Sequence, residues 1–591
     1  MLGGPRSRWR ALAALMRPDA ERWGALGALL AVGSTLAIAG PLVVRAIVDR
    51  ATEGTTASTT LRLGVAYLAI AVLAQALSVV VAWFATVTAW RTTNQVRMQM
   101  VRHVLGLDHE FHRRHTPGEL IQRVDGDVTS VSDFLGQVVP RAVGAALLVV
   151  GIVVTLGVLD WRLALGAIAY VAVATAVVVQ RRHGAVRESS DEMGSYARLY
   201  GGIEERLTAA EDLRANGAGP HAMWRFVEES ADAMHRSVRR ETAFLRMWWA
   251  VHGAVAGGTV VTLVASGALV AGGAITVGTA FLLLQFVLLL AQPLEELVDQ
   301  LETVQKANGA MVRVIDLLGV QPTIVDAGTA SPAPGPLAIE CRGVGFDYGD
   351  DEAVLHGVDL RIAPGRCVGI VGRTGSGKTT FSRLVLRLVE PTEGALLLGG
   401  VPIADIPLAE LRRRVALVPQ EVELFGGTIR ENVTLYDTAP GDDDVADALR
   451  RVGLDALVEG GIHRQLGAGG TGLSAGEAQL LALARVWLRR PDLVVLDEAT
   501  ARVDPATEQR LDAAITELMR GRTTLIIAHR LSTLHRVDEI IVFDHGRVIE
   551  HDDRAELAAT NGSRFRQLLD LALDDQQIDR TSDVPAGEVA S

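Results

Sequence analysis

Six stretches of this chain are apolar enough and long enough to cross a lipid bilayer. They lie at about 23–48, 63–89, 138–159, 163–181, 249–271 and 275–297. Each is near or above the roughly 20 residues that a membrane helix needs. All six fall in the first half, up to about residue 310, and the remainder reads as a soluble α/β domain. An arginine-bearing N-terminus (Arg6, Arg8, Arg10, Arg17, Arg22) precedes the first run. That run is too long for a secretion signal, and more spans follow. Residues 1–22 are expected to hold an interfacial helix around Trp9–Met16.

The links between spans differ in charge. Ala51–Thr60, Asp160–Arg162 and Gly272–Ile275 are short and nearly free of arginine. The links 90–137 and 182–248 are long and crowded with it: Arg91, Arg97, Arg102, Arg113, Arg114 and Arg123 in the first, Arg181 to Arg246 around the second. By the positive-inside rule the long links and both termini are cytoplasmic in a multi-pass protein of the plasma (inner) membrane. The long links read as helical extensions of the spans. Gly118–Arg123 and Glu204–Arg214 are the best candidates for short helices that meet the soluble domain, although on periodicity alone they read as solvated helical faces.

Within the spans, Arg45, His252, Gln75, Trp83, Trp90, Trp248, Trp249, Gln285 and Gln292 are the polar or aromatic residues that could face a passing molecule. Arg45, near a helix end, could equally snorkel, and tryptophans collect at membrane boundaries in any case. A pathway with so little charge suits an apolar or amphipathic cargo better than a metal ion. Pro293 is expected to kink the sixth helix.

The soluble half carries a phosphate-binding loop, Gly372-Arg373-Thr374-Gly375-Ser376-Gly377-Lys378-Thr379, followed by Thr380. A buried-strand pattern (Cys367–Val371) precedes it and a helical pattern follows, which is the context the motif requires. The glycines let successive N–H groups turn toward phosphate oxygens. Lys378 adds a point charge and Thr379 a hydroxyl for Mg²⁺. Lys378 and Lys306 are the only lysines; arginine fills every other such position. A compact ammonium among phosphates is one place where arginine cannot substitute.

The net charge of −12 and the lack of a basic stripe argue against nucleic acid as a partner. The two cysteines, Cys341 and Cys367, offer neither a disulfide framework nor a metal cluster, and read as buried thiols. The proline-rich stretch 320–336 marks a domain boundary. The acidic tail from about Asp574 lacks an apolar period and is expected to be disordered.

Downstream, Leu473-Ser474-Ala475-Gly476-Glu477 precedes a helix read over Ala478–Leu488, and Leu493-Val494-Val495-Leu496-Asp497-Glu498 follows. With the phosphate loop, this order resembles the ATPase of ABC transporters over residues 339–570. Six spans before it resemble the exporter-type half-transporter. The expected fold is a membrane α-helical bundle followed by a cytoplasmic α/β P-loop NTPase domain with an α-helical subdomain. Its expected domains are 23–318 for the spans, 319–338 for the linker, 339–573 for the ATPase and 574–591 for the tail.

The resemblance implies roles. Tyr348 would stack on adenine, the loop residues Gly372–Thr380 would bind ATP, and Lys378 would reach the outer phosphates. Asp497, with Thr379 and Gln420, would bind Mg²⁺. Glu498 would polarise the attacking water, and His529 would contact the γ-phosphate. Asp504 would lie at a dimer seam. Ser474 and Gly476 would cap the ATP held by a partner chain, so that ATP joins two ATPase domains and hydrolysis releases them. The usual signature is Leu-Ser-Gly-Gly-Gln; Ala475 and Glu477 depart from it while the other motifs stay intact. In heterodimeric exporters the subunit with an intact Walker B often carries the altered signature. The expectation is therefore ATP-driven export of an apolar or amphipathic small molecule, drug or lipid by a heterodimer with a second half-transporter. The alternatives are a homodimer, an importer with this fold, and a lipid flippase. A silent regulatory subunit is disfavoured by Lys378 and Glu498.

Overall fold

The computed structural model describes residues 16–54, 56–349, 353–467, 472–497, 505–528 and 531–570. These fall into two compact units. One holds the chain up to Leu107 and His115–Gln321; the other holds Asp108–Arg114 and the chain from Pro322.

The first unit is helical. Its principal helices are α1 (Ala20–Glu53), α2 (Ala57–Leu105), α3 (Val139–Leu159), α4 (Trp161–Thr208), α5 (Gly219–Ala271), α6 (Val277–Asp299) and α7 (Leu301–Gly319). All six apolar runs lie on helices. Among the described residues, five helical segments are long and apolar enough to cross a membrane, and the sixth run is the shorter apolar stretch Val277–Pro293 of α6. Helices α2, α4 and α5 have 49, 48 and 53 residues. At about 1.5 Å per residue each is more than twice as long as the roughly 30 Å hydrocarbon layer is thick. The long links are thus helical extensions, as their composition predicts. The apolar window of α2 has no buried residue, and Leu61, Val65, Leu68, Val72 and Leu73 point outward. A soluble helix would turn that face inward; here lipid is the solvent.

Without a hydrophobic drive between spans, helices pack through small residues. Gly151 of α3 receives Ile38 of α1: a Cβ there would lie 2.4 Å from the Ile38 Cδ1. Gly258 of α5 likewise receives the Tyr170 ring of α4. Ile38, Leu148, Ile152, Leu156, Leu282, Phe286 and Leu290 form the largest buried cluster of the spans. Two buried carboxylates tie the helices beyond the spans. Asp127 takes two hydrogen bonds from Arg313, with Nε at 2.8 Å. Asp19 accepts from Arg91 at 3.2 Å and Thr92 at 3.0 Å. Helix α6 runs through Pro293. Before α3 the turn Phe134–Val138 is π-helical. Pro140 explains why: it has no N–H to offer the Gly136 carbonyl.

Regular structure stops at Gly319 and resumes at Ile339. The proline-rich stretch between packs onto the second unit through two arginines. Arg387, 1% exposed, donates to the Val325 and Ile406 carbonyls at 3.1 and 2.9 Å. Arg414 donates to the carbonyls of Pro332, Ala333 and Gly335.

Among the described residues the second unit holds two large sheets and a two-stranded pairing of Gly427–Thr428 with Gln465–Leu466. Strands β1 (Ile339–Asp347), β2 (Ala353–Ile362), β4 (Glu393–Leu398) and β5 (Val401–Pro402) form an antiparallel sheet ordered β2-β1-β4-β5. The other sheet comprises β3 (Cys367–Val371), β6 (Val415–Val418), β7 (Leu493–Asp497), β8 (Thr523–Ile527), β9 (Glu539–Asp544) and β10 (Arg547–Asp553). Its order is β10-β9-β3-β8-β7-β6, parallel except for β10. Strands β3 and β8 are buried at every position, as a parallel strand covered on both faces must be. Helix α8 (Lys378–Val385) follows the phosphate loop, and α9 (Ala475–Arg489) packs with shorter helices into a helical subdomain.

The segment that joins this unit from the first long link is the short helix His109–Arg114. Gly118–Arg123 and Glu204–Arg214 belong to the helical unit. His109–Arg114 is held by specific contacts that composition does not show. The Asp108 carboxylate accepts from the N–H of Thr323, and Arg114 donates to the Tyr348 carbonyl at 3.0 Å.

Candidate functional site: a phosphate-binding edge

The register of the parallel sheet decides what meets what. Ile527 of β8 pairs with Ile370 of β3 on one side and Asp497 of β7 on the other; Val418 of β6 pairs with Leu496. Strands β3, β6, β7 and β8 therefore end level. The phosphate loop, Gln420, Asp497 and Ala528 thus stand along one edge. The carboxyl edge of a parallel sheet is where such folds bind ligands.

The loop is built for close backbone approach. Gly375 and Gly377 have φ of +83° and +103°. At Gly372 (φ +150°) a Cβ would lie 2.3 Å from the Phe543 carbonyl oxygen and 2.7 Å from Ser376 Oγ. Ser376 is buried, and its hydroxyl has no hydrogen-bond partner among the described residues. A buried hydroxyl left unpaired costs about 1–3 kcal/mol, so this one waits for an acceptor. Lys378 heads α8 and donates from Nζ to the Gly372 and Arg373 carbonyls at 2.6 and 3.0 Å. The ammonium is folded over the loop that it would share with phosphate. Oxygen donors from Thr379, Gln420 and Asp497 make a set that suits Mg²⁺ rather than a softer metal.

Tyr348 sits beside this loop. Its hydroxyl lies 3.3 Å from Thr380 Oγ1 and accepts from Arg383 at 3.0 Å. The Arg113 guanidinium lies over its ring, 5.0 Å from the centroid. His109 is pushed below its ordinary pKa, first by burial and then by Arg383, although Glu110 opposes this.

Helix α9 starts at Ala475, three residues before the expected Ala478, because Ser474 caps it. The Ser474 N–H and hydroxyl both donate to one Glu477 carboxylate oxygen, at 2.8 and 2.9 Å, and the Glu477 N–H returns to Ser474 Oγ at 3.3 Å. This is a capping box. The altered fifth residue of the signature thus holds the proton of the second.

Glu498, Asp504 and His529 lie outside the described residues. Two residues that sequence reasoning missed hold the chain after Gln420. Fully buried Asn432 pairs with both backbone groups of Phe425, at 2.8 and 2.9 Å. Arg485 donates to the Asn432 and Glu423 carbonyls at 2.8 and 2.9 Å. The Thr428–Glu431 capping box just before Asn432 was the available signal.

In the helical unit, Arg45 pairs with Asp49 at 3.5 Å, and Asp49 also accepts from the Gly278 N–H at 2.8 Å. That joins the end of α1 to the start of α6. His252 stacks on Trp248 at 3.6 Å. These contacts are structural. Gln75 and Gln292 instead line a cleft, together with two charged residues that the sequence reading passed over, Arg141 and Glu296.

A membrane-spanning helical unit joined to a nucleotide-type parallel sheet defines a transporter that hydrolyses ATP. The ABC transporter transmembrane region model matches residues 23–294, and the ABC transporter ATPase model matches residues 355–501. The chain belongs to the ABC transporter family, in its exporter-type form with both parts fused. It is 30% identical to the ATP-dependent lipid A-core flippase of Chromobacterium violaceum over 83% of this chain and 85% of that protein. It is 34% identical to the same-named protein of Cupriavidus metallidurans, over 79% and 80%. A bacterial Atm1-family ABC exporter with ATP bound shares the fold, with TM-score 0.77 and 23% identity over 98% of this chain and 100% of that one.

Proposed function

We propose that this chain uses ATP to move an amphipathic, lipid-like molecule out of the inner leaflet of the plasma (inner) membrane, as half of a dimer, with its ATPase unit in the cytoplasm. The observation that carries the reading is the level edge of the parallel sheet, with the orphaned Ser376 hydroxyl and Lys378 at its phosphate loop. The names of the flippase relatives support a lipid-like cargo.

In this reading the loop N–H groups, Ser376 and Lys378 bind the phosphates, and Tyr348 supports the base. Thr379, Asp497 and Gln420 hold Mg²⁺, which neutralises phosphate charge when bound. Glu498 orients and deprotonates the attacking water, and His529 contacts the γ-phosphate. Asp504 lies at the seam. Ser474 and Gly476 face ATP on the other chain. Because Glu477 places a negative charge beside a triphosphate where the usual signature has a neutral amide, this signature is a weak cap. A second half-transporter with the usual Leu-Ser-Gly-Gly-Gln would complete the competent site, so the dimer is proposed to be a heterodimer.

ATP hydrolysis by the purified full-length chain, with its oligomeric mass recorded, tests this. A chain that is inactive alone and gains activity with a second half-transporter, in a manner abolished by Glu498→Gln, supports the heterodimer. A dimer of this chain alone that hydrolyses ATP rapidly contradicts it.

A further inference from the structure

A cleft of about 820 Å³ opens between α1, α2, α3 and α6, wholly within the helical unit. Its charge is gathered at one end, where Gln137, Arg141, Gln292 and Glu296 stand. Toward the middle of the spans the lining is uncharged and mostly apolar: Leu148, Ala37, Ala71, Ala74 and Leu77, with Gln75 and Ser78 among them. Arg141 and Leu148 are seven positions apart on one helix, which is roughly 10 Å of rise. The polar end lies where α3 begins and α6 leads into α7, the end from which the arginine-rich links extend.

Among the described residues, Arg141 and Glu296 are the charged side chains of this lining. Arg141 is exposed and makes no ion pair among the described residues. Glu296 accepts from Gln292 Nε2 at 3.0 Å through one carboxylate oxygen. The Phe134–Val138 π turn and Pro140 sit beside Arg141, and such turns recur at functional sites. Ionisable groups inside spans are expensive and are kept for function.

We infer that this cleft binds an amphiphile from the inner leaflet whose headgroup carries both an anionic and a cationic centre, with Arg141 taking the first, Glu296 the second and the apolar end the upper chain. A purely anionic headgroup meets Glu296, and a purely cationic one meets Arg141; only the mixed headgroup satisfies both. The inference rests on the lipid-like cargo proposed above and narrows its class.

The test is photoaffinity labelling of the full-length chain in nanodiscs, without ATP, using lipids that carry a photoreactive acyl chain. The headgroups are phosphatidylethanolamine, phosphatidylglycerol and a trimethylammonium lipid. The ethanolamine probe should label peptides spanning residues 34–37, 71–77 and 144–148, where the acyl chain would lie, at least fivefold more than either of the others. Glu296→Gln should raise phosphatidylglycerol labelling about tenfold. Arg141→Gln should raise labelling by the cationic lipid and lower that by phosphatidylethanolamine. Opposite shifts of this kind cannot come from misfolding, which lowers all three. Equal labelling of the unaltered chain by phosphatidylglycerol and phosphatidylethanolamine, or parallel changes for all probes in both variants, overturns the inference. Selective labelling without ATP-driven movement of any lipid would instead overturn the transport reading and leave the headgroup assignment standing.

Discussion

The nucleotide-binding unit and the helical unit of this chain are stabilised by different means. In the first, polar groups close on one another at many points. Arg387, Arg414 and Arg485 each hold backbone carbonyls of segments remote in sequence. In the second, the spans meet through glycine and alanine, and the cleft that interrupts them keeps an arginine and a glutamate at one end. A site for phosphoryl transfer must be rigid to position charge. A pathway must have two arrangements of similar energy, so it is packed by interchangeable small contacts.

The contrast can be broken at several points, the largest effect first. Lys378→Ala should lower ATP hydrolysis by more than 100-fold while leaving the protein folded, as steady-state phosphate release and size-exclusion elution would show. Arg387→Ala should destabilise the nucleotide-binding unit by about 3 kcal/mol, because two buried carbonyls lose their donor and a large side chain leaves a cavity. Denaturant unfolding followed by intrinsic fluorescence would measure it. Gly151→Val, an intrusion on Ile38 in the helical unit, should cost less, about 1–2 kcal/mol, since neighbouring spans can shift; thermal unfolding in a membrane mimic reads it. Glu477→Gln should raise ATP turnover severalfold by removing the negative charge beside the triphosphate while a glutamine keeps the capping box, and a fall would contradict the weak-cap reading. The smallest effect should come from thiol reagents. Burial pushes Cys341 and Cys367 up to about 12, so almost no thiolate forms near pH 8. Iodoacetamide should leave both intact in the native chain and modify both after unfolding, as mass spectrometry would record.

The same contrast explains what could be read beforehand. Phosphate chemistry dictates residue types at fixed spacing, so the loop, Asp497 and the ends of β3, β6 and β7 are legible to within a residue or two. The start of α9 was missed by three residues because Ser474 and Glu477 form a cap, a local bond that a motif comparison does not weigh. Spans announce their length but not their contacts. Arg45 and His252 drew attention as charges in apolar runs, yet each is held by a neighbour four residues away. Arg141 and Glu296 lie near the ends of their apolar runs, where the sequence pattern does not single them out. Only the packing of α1, α2, α3 and α6 places them on one cleft. The short helix His109–Arg114 was overlooked for a similar reason: its assignment depends on Tyr348 and Thr323, more than 200 positions away in sequence.

The most direct test of ATP-driven lipid movement is a dithionite-protection assay in proteoliposomes with fluorescent phosphatidylethanolamine and the full-length chain, alone and with a second half-transporter. The account predicts that ATP changes the fraction of label in one leaflet in at least one of these two preparations, and that Glu498→Gln abolishes the change. A leaflet distribution that ATP leaves unaltered in both preparations, while ATP is being hydrolysed, would contradict it.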